Sequence, residues 1–149
     1  MNKGIFIYYS LSGNGDIISD YLKEKGYSVL KIKTKEELPN NFLLRILVGG
    51  YKAMINYNDE IEEFICDINS FDNIIIGSPI WNDRLSTPIN SVLKRINLGN
   101  KNITFILYSG KGKNKKAYEY IISNYDNSNI INIKEPKKFK EELKKLDNL

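Results

Sequence analysis

The 149-residue chain has no histidine and a single cysteine, Cys66, and these absences exclude several kinds of site. One cysteine cannot form an internal disulfide, and without histidine the usual zinc sites and histidine-based catalytic arrangements are missing. No apolar run approaches the roughly 18 residues of a membrane span. The first residues do not resemble a cleavable signal. We therefore expect a cytoplasmic protein that does not bind membranes.

The chain also lacks a strong excess of either charge, because it has 22 Lys and Arg residues and 18 Asp and Glu residues. Residues 1–110 carry 12 of each sign, whereas residues 111–149 carry 10 basic and 6 acidic side chains. Nucleic-acid binding would require aromatic platforms or a recognition helix among these lysines, and the sequence shows neither. We interpret the basic excess as a solvated face and expect no nucleic-acid partner.

Strand-like runs alternate with helical patterns along the chain, which predicts one α/β domain over residues 1–149. The predicted strands cover residues 4–9, 28–33, 73–77, 102–108 and 129–134. The predicted helices cover 16–25, 59–68, 88–99, 115–124 and a final segment from Pro136, and 40–48 is predicted to be partly helical. Right-handed crossovers between five such strands produce a parallel sheet between two helical layers, a three-layer αβα sandwich.

Three loops follow predicted strands and begin at Ser10, Ser78 and Ser109. The carboxyl ends of parallel strands share one edge of the sheet, and ligands of open α/β sheets bind beyond that edge. We therefore expect these three loops to meet around a ligand.

The first loop, residues 10–15, has the chemistry of an anion site. It offers the hydroxyls of Ser10 and Ser12, the amide of Asn14, and backbone N–H groups freed by Gly13 and Gly15, directly before a helix start. Free N–H groups and the positive end of a helix dipole favour a phosphate there. The alternative is an ordinary tight turn, capped by Ser12 or Asn14.

Two of the loops resemble the flavin-binding loops of flavodoxins. Ser10-Leu-Ser-Gly-Asn-Gly resembles the family's Ser/Thr-x-Thr-Gly-Asn-Thr phosphate loop. Gly77-Ser-Pro-Ile-Trp-Asn-Asp-Arg, the second loop, resembles the family's flavin-ring loop. The resemblance covers essentially the whole chain. It implies the strand order 2-1-3-4-5, the cofactor FMN, and transfer of single electrons between redox partner proteins. We expect the chain to be a monomer or weak dimer.

The resemblance also implies a role for each matching residue. Ser10, Ser12, Gly13, Asn14 and Gly15 would hold the FMN phosphate, although Gly15 replaces the family's threonine and removes one hydroxyl contact. The ring loop supplies Ser78, Pro79, Ile80, Trp81, Asn82 and Asp83.

Within the ring loop, Trp81 would stack on the isoalloxazine. Asn82 and Asp83 resemble the family's short turn that places a backbone carbonyl near flavin N5, and asparagine tolerates the positive φ that this turn needs.

The third loop, residues 109–114, departs from the family, which commonly has a second aromatic side chain there. Ser109, Gly110, Lys111 and Gly112 are its predicted flavin contacts. Lysines 111 and 113 near N1 and O2 would stabilise the anionic reduced ring and make the second potential less negative. Alternatively, both lysines point into water and only the loop backbone contacts the ring.

Two other functions fit the same residues. One is an FMN-dependent reductase that takes hydride from a nicotinamide and passes electrons to a quinone-type acceptor. The other is a binding module that has kept the fold and lost the flavin. The chain offers no evident catalytic acid, base or nucleophile, so in either flavin-dependent function the cofactor performs the chemistry.

Overall fold

The structure is a computed structural model, and it describes residues 4–55, 57–111 and 114–149. The strands are β1 (Ile5–Tyr8), β2 (Ser28–Lys31), β3 (Asn73–Trp81), β4 (Arg84–Leu85), β5 (Asn102–Ser109) and β6 (Asn129–Lys134). The α-helices are α1 (Asn14–Glu24), α2 (Phe42–Met54), α3 (Thr87–Arg95) and α4 (Lys115–Asn124). Short 3₁₀ helices cover Ile68–Ser70 and Lys140–Leu146.

Five strands form a parallel sheet in the order β2-β1-β3-β5-β6, and the short β4 pairs with β3 in antiparallel orientation. If the parallel strands alone are numbered, this order is 2-1-3-4-5, so the predicted strand order is confirmed. The chain winds outward in one direction from β1 to β2 and in the other from β1 to β3. The switch point therefore lies between β1 and β3, where the first and second loops leave the sheet.

The sheet has an apolar core on each face, as the absence of polar alternation in β1 indicates. Ile5 and Ile7 contribute to one core, while Phe6 and Tyr8 contribute to the other. Helices α3 and α4 cover the first face, and α1 with the C-terminal 3₁₀ helix covers the second. These two layers hold the carboxyl ends of the central strands in a fixed position.

The predicted helix over residues 59–68 is wrong. Residues 57–67 run without regular secondary structure, and Ile61 forms an isolated antiparallel bridge with Thr34. The Glu62 N–H donates to the Lys33 carbonyl (2.8 Å), and the Lys35 N–H donates to the Glu60 carbonyl (2.9 Å). The backbone of this segment is therefore paired with the chain that follows β2, and that long-range pairing outweighs the helical spacing of its isoleucines.

The bounds of four other helices differ from the predictions. Helix α1, predicted over residues 16–25, spans Asn14–Glu24. The segment predicted to be partly helical, 40–48, belongs to a helix that begins at Phe42 and continues through Gly49 and Gly50 to Met54. The helix that begins near Pro88 ends at Arg95 rather than residue 99. The final segment forms a 3₁₀ helix, in which Leu143 and Leu146 lie on one face because side chains three residues apart eclipse each other.

Among the residues that the structure describes, no helix is both long and apolar enough to cross a membrane.

Candidate functional site

A cavity of about 610 Å³ lies at the carboxyl edge of the sheet, where the three loops meet helix α2. We call it the edge cavity. Eight predicted residues line it: Ser12, Asn14, Pro79, Ile80, Trp81, Asn82, Ser109 and Gly110. The expected convergence of the three loops is therefore present. A cleft of about 710 Å³ lies elsewhere, lined by residues 93, 96–103 and 124–127. It includes the start of β5, the opposite edge from the one at which such sheets bind ligands.

The first loop leaves the start of α1 available to an anion. Gly13 is the N-cap residue, with a left-handed φ of 95°, and has no side chain with which to cap the helix. Ser12 and Asn14 interact with each other, through Asn14 Nδ2 and Ser12 Oγ at 3.4 Å, and neither caps α1 as the capped-turn alternative requires. Ser10 lies off the cavity wall, and its Oγ accepts the Gly15 N–H at 3.1 Å, so it holds the loop in shape.

Close packing explains why glycine occupies position 15. A Cβ at Gly15 would lie 2.8 Å from the Tyr108 hydroxyl oxygen and 2.9 Å from both Ser10 Cβ and Tyr8 Cδ2. A threonine therefore has no room here. The Tyr108 hydroxyl donates to the Tyr9 carbonyl, and burial raises the pKa of Tyr108 well above its usual value, so this donor stays protonated.

The C-terminal segment contributes a residue that the sequence interpretation missed. The Lys137 N–H donates to Asn14 Oδ1 at 3.1 Å, and Lys137 Nζ donates to the Ser12 carbonyl at 3.3 Å. Gly13, Gly15 and Lys137 do not line the edge cavity, but all three lie within or against the first loop that does. No local pattern could identify Lys137, because 123 residues separate it from Asn14.

Trp81 is held at the cavity by two neighbours. It is partly buried, its ring meets that of Tyr9 edge-on at a centroid distance of 5.8 Å, and a Cβ at Gly49 would lie 3.5 Å from Trp81 Cδ2. Helix α2 therefore lies against the indole at position 49, where a Cβ would make ordinary van der Waals contact. Trp81 lies on the wall and is not enclosed in the core.

The predicted turn after Trp81 is confirmed. Asn82 and Asp83 have φ angles of 49° and 62°, and they connect Trp81 to its antiparallel partner Arg84. A two-residue hairpin turn with both central φ angles positive is the type that asparagine and aspartate tolerate best. The Asn82 carbonyl receives a long hydrogen bond from Arg84 Nη1 at 3.4 Å.

Two predicted residues of the ring loop lie off the cavity wall and have structural partners. Ser78 is fully buried, and its hydroxyl bonds the backbone N–H (2.9 Å) and hydroxyl (3.0 Å) of Ser86. Asp83 Oδ2 accepts the Lys116 N–H (3.2 Å), and its carbonyl accepts the Ala117 N–H (2.9 Å). Asp83 thereby satisfies N–H groups in the first turn of α4.

In the third loop the cavity is lined by Ser109 and Gly110, while Lys111 is exposed and off the wall. Gly112 and Lys113 lie outside the described residues. Beside the third loop, the charged side chain that lines the cavity is that of Glu135, a residue with a φ of 36°. Its carboxylate pairs with Lys138 at 3.1 Å. For Lys111, this placement agrees with the expected arrangement in which the backbone, not the lysine, faces the ligand.

Helix α2 forms the remaining wall. Five of its residues line the cavity at successive spacings of three, one, three and one, which place them on one face of the helix: Phe42, Arg45, Ile46, Gly49 and Gly50. The Asn41 side chain caps the helix by accepting the N–H groups of the second and third residues beyond it, at 3.0 and 3.2 Å. None of these α2 residues was among the site residues predicted from the sequence, and neither were Leu11, Leu47 and Tyr108, which also line the cavity.

A buried ion pair anchors α2. Asp59, 7% exposed, contacts Lys52 Nζ at 2.7 Å and also accepts the Thr87 hydroxyl. Its carbonyl accepts the Ser91 hydroxyl at 2.6 Å. Since Lys52 is on α2 while Thr87 and Ser91 are on α3, Asp59 ties the cavity wall to the helical layer. No described residues form a cluster of three or more side chains that could hold a metal ion.

Comparison with known proteins identifies the fold. No family model and no curated protein matches the chain. A flavoprotein from Lactobacillus acidophilus NCFM, crystallised in complex with FMN, superposes with a TM-score of 0.74 at 20% identity, over 95% of this chain and 98% of that one. The apo-form of the L. acidophilus flavoprotein, solved by NMR, gives 0.62 at 21% identity over 90% and 92%.

A protein from Bacteroides eggerthii DSM 20697, provisionally assigned as a flavoprotein, gives a TM-score of 0.72 at 19% identity over 99% of both chains. At these identities the similarity establishes the fold alone. The chain has a flavodoxin-like fold.

Proposed function

We propose that the protein binds FMN in the edge cavity and carries single electrons between redox partner proteins. The observation that carries this proposal is that one cavity joins the loop before α1 to the side chain of Trp81. A flavin mononucleotide needs those two features together: an anion site for its phosphate and an apolar, aromatic wall for its ring.

The donor set fits this ligand at the phosphate end. The start of α1 carries the positive end of the helix dipole and N–H groups without intrahelical acceptors, of which that of Gly15 bonds Ser10 Oγ. Ser12 lies beside it on the cavity wall. Ser10 and Asn14 would act mainly by shaping the loop, since both have partners within or against it.

The wall also fits at the ring end. Pro79, Ile80 and Trp81 form one side and the inner face of α2 forms the other. Helix α2 is open toward the second loop at Gly50, where a Cβ would meet only Asn82 Cβ at 3.9 Å, whereas at Gly49 it packs against the Trp81 indole. The bound cofactor would supply one- and two-electron redox chemistry, while these residues bind it and exclude water.

The wall of the cavity supports a carrier role. Phe42, Ile46 and Leu47 border the cavity and are 71%, 55% and 67% exposed. A ring held there would have an edge close to an apolar surface, which suits brief contacts with other redox proteins. Among the described residues, the lining contains two charged side chains, Arg45 and Glu135, and each has a partner: Arg45 Nε donates to the Pro39 carbonyl at 3.2 Å, and Glu135 pairs with Lys138.

Titration of the apoprotein with FMN, followed by flavin fluorescence and absorbance, tests the binding proposal. We expect saturable one-to-one binding and quenching of the flavin by the adjacent indole. A protein that leaves FMN free at concentrations well above micromolar would refute it, and would match the flavin-free module.

A second measurement separates the carrier from the reductase. Stepwise reduction of the FMN complex should proceed in two resolved one-electron steps, and the purified complex alone should not oxidise NADH or NADPH. Rapid oxidation of either nucleotide, with electrons passed to a quinone, would replace the carrier by the reductase.

A further inference from the structure

A lysine from the far end of the chain lies against the first loop. The segment after β6 docks there through two hydrogen bonds, from the Lys137 backbone N–H to Asn14 Oδ1 and from Lys137 Nζ to the Ser12 carbonyl. A Cβ on Gly13 would be only 3.7 Å from Lys137 Nζ. The ammonium group therefore lies beside Gly13, the N-cap residue of α1.

This ammonium has no carboxylate partner among the described residues. Two acids in the surrounding segments pair with other lysines: Asp16 with Lys31 at 2.8 Å, and Glu135 with Lys138 at 3.1 Å. Lys137 keeps donor capacity after its bond to Ser12, because an ammonium group has three N–H donors. A cation without a carboxylate partner among the described residues thus lies against the Ser12–Gly13 backbone at the start of α1, next to the edge cavity although not on its wall.

We propose that Lys137 binds the phosphate of the flavin and makes the site selective for FMN over unphosphorylated riboflavin. This rests on the proposed function, and it adds a charged ligand to a loop whose own residues offer only neutral donors. A phosphate monoester carries about −1.5 to −2 charges at pH 7. Charge-assisted hydrogen bonds to such a group are about twice as strong as neutral ones.

The role also explains the placement of Asn14. Its side-chain oxygen is used to hold the Lys137 backbone, and its Nδ2 faces Ser12 Oγ. Asn14 therefore acts as a positioning residue that orients the lysine-bearing segment toward the loop.

The test compares FMN and riboflavin binding in wild type, Lys137→Gln and Lys137→Arg. Lys140→Gln is the matched control, because Lys140 is exposed in the same segment and makes the same change of charge. We expect Lys137→Gln to weaken FMN binding about tenfold and to leave riboflavin binding unchanged. Lys137→Arg should retain most of the affinity for FMN. FMN binding by Lys137→Gln should also depend less on salt concentration, since one ion pair is removed.

The outcomes separate a phosphate ligand from a scaffold. An equal loss for both flavins in Lys137→Gln, or an equal loss in Lys140→Gln, would overturn the proposal, as would unchanged FMN binding in Lys137→Gln. Denaturant unfolding of the apoproteins shows whether the variants remain folded. Failure of the wild type to bind FMN would instead refute the proposed function, so the two failures are distinguishable.

Discussion

The two ends of the edge cavity are built in different ways. At the phosphate end, the position of Gly15 is enclosed by three side chains, and a cation from the C-terminal segment lies against the loop. At the ring end, the wall is a helix whose outer residues are largely exposed, such as Leu43 at 70% and Tyr51 at 61%. The phosphate end depends on close packing and charge, while the ring end depends on apolar surface and on how firmly α2 is held.

This difference indicates how the two ends should respond to change. Alterations at the phosphate end should affect FMN and spare riboflavin, or disturb the folded core. Alterations at the ring end should affect both flavins alike, because both contain the same ring.

The largest effect is expected from loss of the α2 anchor. Asp59→Ala should lower the free energy of unfolding by about 3 kcal/mol, because Lys52 and the Thr87 hydroxyl would lose a buried partner. Urea unfolding measures this loss. The control is Glu60→Ala, whose 3.6 Å pair with Lys35 is exposed and should contribute less than about 0.5 kcal/mol. Equal effects of the two variants would show that α2 does not depend on the buried pair.

Gly15→Ala gives the next largest effect and has an informative sign. Helix propensity alone predicts stabilisation, whereas the added methyl would overlap Tyr108, Ser10 and Tyr8. We expect the overlap to dominate, with the free energy of unfolding lowered by about 2 kcal/mol and weaker binding of FMN. Denaturant unfolding and FMN titration provide the measurements. A Gly15→Ala protein as stable as wild type would mean that this end of the site is not tightly packed.

Trp81→Ala tests the ring end. Loss of the indole face should weaken FMN and riboflavin binding by the same factor, about tenfold, since aromatic contacts contribute about 0.5–1.5 kcal/mol beyond their buried area. Parallel fluorescence titrations measure the two factors, and Trp81→Phe should recover part of both. A loss confined to FMN would place Trp81 nearer the phosphate than the ring.

Gly50→Ala should have opposite effects on stability and binding. A Cβ there would meet only Asn82 Cβ, at 3.9 Å, so the apoprotein should gain about 0.5–1 kcal/mol from better helix propensity. The same methyl would project into the cavity, so both flavins should bind a few-fold more weakly. Thermal unfolding and flavin titration measure the two effects, and unchanged flavin binding would show that this face of α2 does not contact the ring.

The smallest effect concerns the C-terminal segment that carries Lys137. Hydrogen bonds from Lys25 and Tyr21 lower the pKa of Asp147 below its usual value. The ionised carboxylate therefore stabilises the fold at any pH above the usual pKa of aspartate. The contribution is lost as the pH falls through the lowered pKa of the folded protein. Asp147→Asn should therefore be slightly less stable than wild type at neutral pH and equally stable in acid. Urea midpoints at both pH values provide the comparison, and a difference that persists in acid would contradict it.

Much of the fold was predictable because its signals are local. The five parallel strands are apolar runs, although β3 continues through Trp81, four residues beyond its predicted end. The Asn82-Asp83 turn adopts the positive φ angles that its residue types favour. The helix predicted over 59–68 failed because the signal there, four apolar residues at helical spacing, does not report that Thr34 and Lys33 provide a pairing edge for Ile61 and Glu62.

The amino-acid sequence by itself determined where the loops fall and which of them carry hydroxyls, glycines and an indole, because turn chemistry and apolar periodicity act between residues close in the chain. Only the tertiary structure decided that Gly15 faces Tyr108, that Lys137 reaches the first loop, and that Glu135 rather than Lys111 lines the cavity. The first two of these contacts join segments roughly 90 to 120 residues apart. The third depends on which of two charged side chains the fold places at the cavity. Packing of the whole chain sets such choices, since each depends on the positions of several elements at once.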